Sequence, residues 1–204
     1  MKERFVIATH NKKKLGELSR ILLLMDIDAN TIEAHGFPTM EEPAETGRSF
    51  AENALIKAYA ACKYTGLPAI ADDSGLCVDA LQGGPGIYTG RYGGPDLSDK
   101  ERYELLLHTM RDISPDNRSA RFVCAICVAF PNGKSLTVSG ECKGFIGYKP
   151  QGEGGFGYDP VFYLPDGRCF AELSSAEKDA VSHRGNALRA LNNKLPQFLI
   201  DIHK

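Results

Sequence analysis

The sequence predicts a mixed β-sheet flanked by helices, in the α/β or α+β class. Strand-like and helix-like segments alternate along the first part of the chain, and a turn signal at Pro131-Asn132-Gly133 separates two strand-like runs. Three capping boxes mark helix starts. The 204 residues suffice for one compact domain, or one domain with two lobes, and no repeat or linker divides them.

The chain is expected to open with a strand, a tight loop and a helix. Residues 5–8 are a short apolar run, and apolar residues recur at helical spacing over 15–25. Backbone N–H groups at such a helix start attract phosphate, and Thr9 and Asn11 add hydrogen-bond donors. Three lysines, residues 12–14, oppose the helix dipole there, which a bound polyanion would explain. The alternative is a solvated basic patch on a surface helix.

Two adjacent aspartates follow the next helix and strand. A capping box at Ser49 and Glu52 predicts a helix that ends near residues 66–68, and residues 69–71 predict a short strand. We expect that strand to end abruptly at Asp72-Asp73-Ser74-Gly75. Carboxylates beyond a strand end are well placed to hold a hard divalent cation. The alternative is a solvated acidic turn in which Ser74 caps a helix.

The middle of the chain contains a long loop, a helix and a hairpin. Residues 83–94 are rich in glycine and proline and predict a loop, and a capping box at Ser98 and Glu101 begins a helix. Residues 121–130 are strand-like. The apolar runs at 135–138 and 142–146 predict one or two returning strands.

A second glycine-rich loop spans residues 152–157. It matches G-x-G-x-x-G, but it leads into Pro160 and a strand-like run at 161–164 rather than a helix, so a dinucleotide-binding fingerprint is rejected. The remaining interpretation is a flexible loop that projects Phe156 and Tyr158, which can stack on a base, beside Asp159. The alternative is that these aromatic residues belong to the core.

The C-terminal part combines a helix with a basic cluster. A capping box at Ser174 and Glu177 precedes a helix that carries apolar residues over 187–191. Lys178, His183 and Arg184 are all hydrogen-bond donors close together in sequence. They form either part of a binding site or a solvated face beside a helix start.

Composition excludes several classes of function. The net charge of −2 argues against nucleic-acid or membrane partners, and no apolar run approaches the ~20 residues of a transmembrane helix. Without a signal-peptide pattern we expect a cytoplasmic protein whose six cysteines are reduced. Cys124 and Cys127 lie on a predicted strand and point to opposite faces, so they do not chelate zinc together. No Walker, H-E-x-x-H or G-x-S-x-G motif occurs.

In this order, the motifs resemble those of the inosine/xanthosine triphosphate pyrophosphatase family. The matching stretches are residues 9–14, 45–54, 71–76, 85–88, 91–92, 154–160 and 182–185. The resemblance implies an elongated mixed sheet with flanking helices that forms two lobes around a central nucleotide-binding cleft, within one domain over residues 1–204. It also implies Mg²⁺ dependence, a homodimer, and hydrolysis of a nucleoside triphosphate to the monophosphate and pyrophosphate.

The resemblance assigns roles to individual residues. Glu45 and Asp73 are implied metal ligands, Asp73 is the implied proton acceptor, and Lys14 is implied in catalysis. The implied substrate-binding residues are Thr9, His10 (where many relatives have glycine), Asn11, Lys12, Lys13, Lys14, Ser74, Phe156, Gly157, Tyr158, Asp159, Lys178, His183 and Arg184.

The residue types support a mechanism of water attack on the α-phosphorus. Phosphoryl transfer needs charge neutralisation and positioning, which Mg²⁺ and the lysines would supply. Hypoxanthine and xanthine carry an acceptor oxygen at position 6, whereas adenine carries a donor amine. Donor side chains at residues 178, 183 and 184 would therefore favour the oxo purines, such as ITP, dITP and XTP. Guanine shares the oxo group, and the residue that excludes it is not identified.

Two other functions remain open at this stage. A Maf-like pyrophosphatase would act on other modified nucleotides, including modified pyrimidines. A nucleotide-binding regulatory module would keep the lysines and Phe156 but would need no metal carboxylates, so the presence of Glu45 and Asp73 argues against it.

Overall fold

The structure, a computed structural model, describes residues 3–202 as a mixed α/β fold. The strands are β1 (Arg4–Ile7), β2 (Asp28–Thr31), β3 (Ala69–Val78), β4 (Ser119–Ala129), β5 (Ser135–Ile146) and β6 (Phe162–Tyr163). The helices are α1 (Lys12–Leu24), α2 (Phe50–Thr65), α3 (Asp99–Thr109), α4 (Ser175–Val181) and α5 (His183–Ile202). Short 3₁₀ turns occupy Glu33–His35, Asp79–Leu81, Gly86–Arg91, Pro115–Asn117, Asp159–Val161 and Phe170–Glu172.

The six strands form one mixed sheet in the order β2-β1-β3-β4-β5-β6. Strand β1 runs parallel to β2 and to β3, whereas β6 runs antiparallel to β5. The turn signal at residues 131–133 connects β4 to β5, as predicted. The expected α/β class is therefore confirmed.

The chain divides into two compact units. The first comprises the residues up to Asp73, then Cys124–Gly140, and the residues from His183 onward. The second comprises Ser74–Val123 and Glu141–Ser182. Strands β3, β4 and β5 each contribute residues to both units.

The first unit has an apolar layer on each face of its part of the sheet. Alternate residues of β1 and β4 belong to different clusters: Phe5 and Cys124 pack in one, and Val6 and Cys127 in the other. The first cluster includes apolar residues of α1 and α5, and the second includes the alanine-rich face of α2. Cys124 and Cys127 therefore face opposite sides of the sheet, as predicted.

The second unit has its own aromatic core. The ring of Phe122 lies 4.7 Å from that of Phe162 and 5.7 Å from that of Phe170, measured between centroids. Leu106 and Met110 place one face of α3 in the same cluster. Such ring pairs contribute beyond the area that they bury.

Several predicted boundaries were wrong. Strand β3 does not end at residues 72–75 but continues to Val78, because the residues that follow the aspartates are buried and apolar. The short polar strand β2 was not predicted, since its sequence lacks an apolar alternation and it forms by pairing with β1. The runs at 135–138 and 142–146 are one strand, β5.

The C-terminal half also differs in detail. Two helices replace the single predicted one, because Ser182 adopts an extended conformation between α4 and α5. The predicted loop at 83–94 contains a 3₁₀ segment, and β6 is only two residues long.

The capping boxes at Ser98 and Ser174 are confirmed. The box at Ser49 is only half formed, because Glu52 accepts from the N–H of Arg48 instead of the N–H of Ser49.

Gly140 allows β5 to approach the first turn of α5. A Cβ at this position would lie closer than 3.0 Å to backbone atoms of His183 and Ala187. We predict that Gly140→Ala lowers the free energy of unfolding by about 1–3 kcal/mol, as overpacking does. Chemical denaturation followed by circular dichroism measures this.

The matched control is Gly16→Ala on the exposed face of α1, where nothing lies within 4 Å of an added Cβ. It should be neutral or stabilising by about 0.5–1 kcal/mol, because alanine favours a helix. Equal effects of the two substitutions would contradict the close approach.

Candidate active site

The two aspartates of β3 lie just past the carboxyl end of β1. Ile7, the last residue of β1, pairs with Ile70, and the N–H of Ala8 donates to the carbonyl of Ile70. The chain then leaves the sheet as the loop before α1, which is the place where open α/β sheets bind ligands. Asp72 is 1% exposed and Asp73 6%. The alternative of a solvated acidic turn is therefore wrong.

Adjacent residues of a strand point to opposite faces, so the two carboxylates serve different faces. Ile70 packs in the cluster with α1 and α5, and Asp72 shares its face. Ala71 packs in the cluster with α2, and Asp73 shares that face. The two aspartates contact different cations and do not converge on one ion.

Asp72 is paired with two cations from α1 and α5. Its Oδ2 accepts hydrogen bonds from Arg184 Nη2 at 2.8 Å and Nε at 3.3 Å, and Lys14 Nζ lies 3.6 Å away. Arg184 is 1% exposed and also donates to Glu17. Burial alone would raise the pKa of Asp72, but the charges of Lys14, Arg184 and Lys57 hold it well below its usual value.

Asp73 is held by two side chains of α2. Asn53 Nδ2 donates to its Oδ2 at 3.0 Å, and Lys57 Nζ lies 3.5 Å from its Oδ1. Lys57 also donates to Glu45 Oε1 at 2.9 Å, so the two predicted metal ligands meet at one ammonium group. Burial raises the pKa of Asp73, and the charge of Glu45 raises it further, against Lys57 and Asn53.

Glu45 lies in a loop that is tied to the same asparagine. The N–H of Gly47 donates to Asn53 Oδ1 at 2.9 Å, and a Cβ on Gly47 would lie 2.6 Å from that oxygen. Asn53, which is fully buried, therefore connects the loop that carries Glu45 to the carboxylate of Asp73.

The donor set fits a magnesium ion. No group of three or more His, Cys, Asp or Glu side chains suited to a metal occurs within residues 3–202. Magnesium, however, needs only one or two protein carboxylates when phosphates and water complete its octahedron. Glu45 and Asp73 supply two carboxylates, and both contact the single positive charge of Lys57.

The loop before α1 is organised by Asn11. Its Oδ1 accepts hydrogen bonds from the N–H groups of Lys13 and Lys14 at 3.0 and 3.1 Å. The cap therefore already uses the N–H groups of these two lysines. Thr9 and His10 line a cavity together with Lys57. Lys14 turns inward to Asp72.

In the second unit, the predicted nucleoside residues form a compact cluster. Asp159 Oδ2 accepts from Lys178 Nζ at 2.6 Å and from the N–H of Phe156 at 2.7 Å. The ammonium of Lys178 lies 4.7 Å from the centroid of the Phe156 ring. Lys178 is 7% exposed and neutralised by Asp159, whereas Phe156 is half-buried.

Tyr158 does not project from the loop as predicted. It is 2% exposed, and its hydroxyl donates to the carbonyl of Thr89 at 3.0 Å. Burial raises the pKa of its hydroxyl above the usual value. The alternative of a core aromatic is correct for this residue.

The basic cluster at residues 178–184 is distributed between the two units. Lys178 belongs to the second unit, whereas His183 and Arg184 are the first residues of α5 in the first. His183 is 6% exposed. Ser74, which follows Asp73 in β3, is half-buried. The alternative of a solvated basic face is wrong for these three residues.

Sequence reasoning missed Glu17, Asn53 and Lys57. Each is a polar residue on the buried face of an otherwise amphipathic helix. Asn53 and Lys57 are four residues apart and Glu17 follows Lys14 by three, so each pair shares one helix face. The sequence does contain a signal for them, because each polar residue stands where the helical pattern predicts an apolar one.

Arg184 is the cation on which two buried carboxylates depend. Replacing it with alanine leaves Asp72 and Glu17 without their shared partner, so we predict a loss of about 3–5 kcal/mol in the free energy of unfolding. Arg184→Lys keeps the charge and should lose distinctly less. Arg121→Ala, which breaks an exposed pair with Asp79, is the control and should cost under about 1 kcal/mol. Denaturant titration of the three variants measures these losses. A loss under about 1 kcal/mol for Arg184→Ala would contradict the pairing with Asp72 and Glu17.

Comparison with known proteins identifies the family. The chain matches the model of the Ham1 family over residues 5–194. It is 44% identical over 201 residues to the dITP/XTP pyrophosphatase of Bacillus cereus, with 97% of each chain covered. It is 46% identical to the dITP/XTP pyrophosphatase of Streptomyces coelicolor, with 92% of this chain and 94% of that one covered.

Solved structures agree with these sequence matches. A HAM1 protein from Coxiella burnetii superposes with a TM-score of 0.84 at 40% identity, covering 96% of this chain and 99% of that one. A nucleoside-triphosphatase / dITP/XTP pyrophosphatase from Mycobacterium abscessus has a TM-score of 0.73 at 46% identity, covering 92% and 98%. The resemblance that the motifs indicated is confirmed, and the chain belongs to the Ham1 family.

Proposed function

We propose that this protein hydrolyses non-canonical purine nucleoside triphosphates, namely ITP, dITP and XTP, to the monophosphate and pyrophosphate. Relatives that match nearly the whole chain are named dITP/XTP pyrophosphatases. The observation that carries the proposal is the pair of carboxylates, Glu45 and Asp73, that meet at Lys57. These two carboxylates and the lysines at residues 12–14 belong to the same unit.

We propose Mg²⁺ as the cofactor, held by Glu45 and Asp73. When bound, the ion supplies charge neutralisation for the phosphates and orients them for in-line attack. The protein's own contribution is to place the two carboxylates. Asn53 orients Asp73 and anchors the loop of Glu45 through Gly47, so both ligands depend on one buried amide.

The chain's own residues account for the remaining steps. Asp73 takes the proton of the attacking water, and Asn53 and Lys57 hold its carboxylate in position for that role. Lys14, which Asp72 holds in place, stabilises the departing pyrophosphate. The exposed lysines at residues 12 and 13 add positive charge at the start of α1.

The base is recognised by donor groups. The 6-oxo group of hypoxanthine or xanthine accepts hydrogen bonds, whereas the 6-amino group of adenine donates them. We propose that Lys178, a buried donor beside Phe156 in the second unit, selects the oxo purines, since a buried donor that faces another donor rejects a substrate strongly. His183 and Arg184 are buried in the first unit, where Arg184 is paired with Asp72 and Glu17. The half-buried ring of Phe156 adds stacking for any purine.

We also propose a cytoplasmic location and a homodimer. All six cysteines are free and buried, which suits a reducing compartment. In residues 3–202 no helix is both long enough and apolar enough to span a membrane.

The first test is a substrate panel with identified products. We expect ITP, dITP and XTP to yield monophosphate and pyrophosphate in the presence of Mg²⁺, at rates far above that for ATP, because a site that pairs with the 6-oxo group rejects the 6-amino analogue by orders of magnitude. GTP, which shares the 6-oxo group, is measured beside them. Preferential cleavage of modified pyrimidine triphosphates would instead indicate a Maf-like activity. Binding without pyrophosphate release, with or without Mg²⁺, would indicate a regulatory module.

The second test concerns the proton acceptor. Asp73→Asn keeps the size of the side chain but removes its charge and basicity and replaces one acceptor oxygen with a donor, so we expect kcat for ITP to fall about 10²–10⁴-fold. Asp79→Asn, at the exposed residue that follows the same strand, is the control and should retain activity. Near-normal turnover by Asp73→Asn at saturating Mg²⁺ would show that another group accepts the proton.

A further inference from the structure

The loop at residues 152–158 is firmly anchored at its beginning. The N–H of Gly154 donates to the carbonyl of Ala171 at 3.0 Å, and the N–H of Gln151 donates to the carbonyl of Pro160 at 2.8 Å. A Cβ on Gly152 or Gly154 would lie within 2.8 Å of the backbone of Ala171. Glycine therefore lets the loop lie directly on that backbone, and the position of its tip is decided by other contacts.

Two carboxylates hold the tip of the loop through consecutive N–H groups. The N–H of Phe156 donates to Asp159 Oδ2 at 2.7 Å, and the N–H of Gly157 donates to Asp99 Oδ2 at 2.9 Å. Asp159 is local to the loop, whereas Asp99 is 58 residues away in sequence, at the first position of α3. The contact with Asp99 ties the aromatic loop to a separate helix of the same unit.

The helix end that carries Asp99 is itself rigid. The capping box of Ser98 and Glu101 fixes its first turn. Arg102, which is 5% exposed, donates to three carbonyl groups of the preceding loop, those of Tyr92 at 2.8 Å, Gly94 at 3.0 Å and Leu97 at 2.6 Å. A carboxylate on such a support is suited to hold a loop in one conformation.

We propose that Asp99 is a positioning residue for nucleoside binding: through the N–H of Gly157 it holds the ring of Phe156 in the orientation that stacks on the purine. This proposal rests on the proposed function, because it assumes that Phe156 contacts the base. Without Asp99 the loop samples other conformations, and substrate binding must first order it. Stacking does not distinguish purines, so the loss of Asp99 weakens the binding of ITP and XTP equally.

Steady-state kinetics test the proposal on the enzyme. Asp99→Ala should raise KM for ITP and XTP alike by roughly five-fold, the factor that one ordinary hydrogen bond supplies, with kcat nearly unchanged. Asp99→Asn keeps an acceptor oxygen and should restore KM, although it removes the same negative charge from the helix start. Glu104→Ala, on the exposed part of α3, is the control. A fall in kcat at constant KM, or equal defects in Asp99→Ala and Asp99→Asn, would overturn the proposal.

A fluorescence measurement tests the same contact without nucleotide. The chain has no tryptophan, so Phe156→Trp introduces a single reporter on the loop. In that background Asp99→Ala should lower the tryptophan anisotropy and increase acrylamide quenching, whereas Asp99→Asn should not. Unchanged anisotropy in a folded Asp99→Ala protein would overturn the proposal. If the loop loosens as expected but the parent protein cleaves no purine triphosphate, the proposed function fails while the contact to Asp99 stands.

Discussion

The alternation of side chains along β3 is the constraint on which the candidate site depends. Asp72 and Asp73 are adjacent and both buried, so the charge of each has to be compensated by a cation on its own face of the sheet. Asp72 forms ion pairs with Lys14 of α1 and Arg184 of α5. Asp73 finds Lys57, which comes from α2. The helices on both faces therefore carry buried charges where apolar residues would otherwise lie.

This arrangement explains why the three lysines at the start of α1 differ in exposure. Lys14 shares the inward face of the helix with Glu17 and points to Asp72, whereas Lys12 and Lys13 remain exposed. Arg184 contacts Glu17 as well as Asp72, so the first turns of α1 and α5 are linked through charged groups before the apolar contacts begin. A lysine held by a buried aspartate loses little side-chain freedom when it meets a phosphate, which is what preorganisation requires.

Periodicity and capping signals were enough to predict most of the fold. The position of α2, the hairpin of β4 and β5, and the opposite orientations of Cys124 and Cys127 all follow from local pattern. The end of β3 was misplaced because two aspartates followed by Ser-Gly are typical of a turn, and the arginine that allows Asp72 to be buried lies 112 residues away. Local sequence carries no signal for a partner at that distance. The motifs pointed to Glu45 and Asp73, which the structure brings to one ammonium group, but Asn53 and Lys57 emerged only from their contacts.

The lysines of the two units differ in how their charges are compensated. In the first unit, Lys12 and Lys13 are exposed beside the inward-turned Lys14, which suits a polyanionic triphosphate. In the second unit, the one lysine beside Phe156 is neutralised by Asp159 at 2.6 Å. A compensated ammonium keeps its hydrogen-bond donors without presenting a net charge. Asp159 thus compensates the charge of Lys178 and also accepts from the backbone N–H of Phe156.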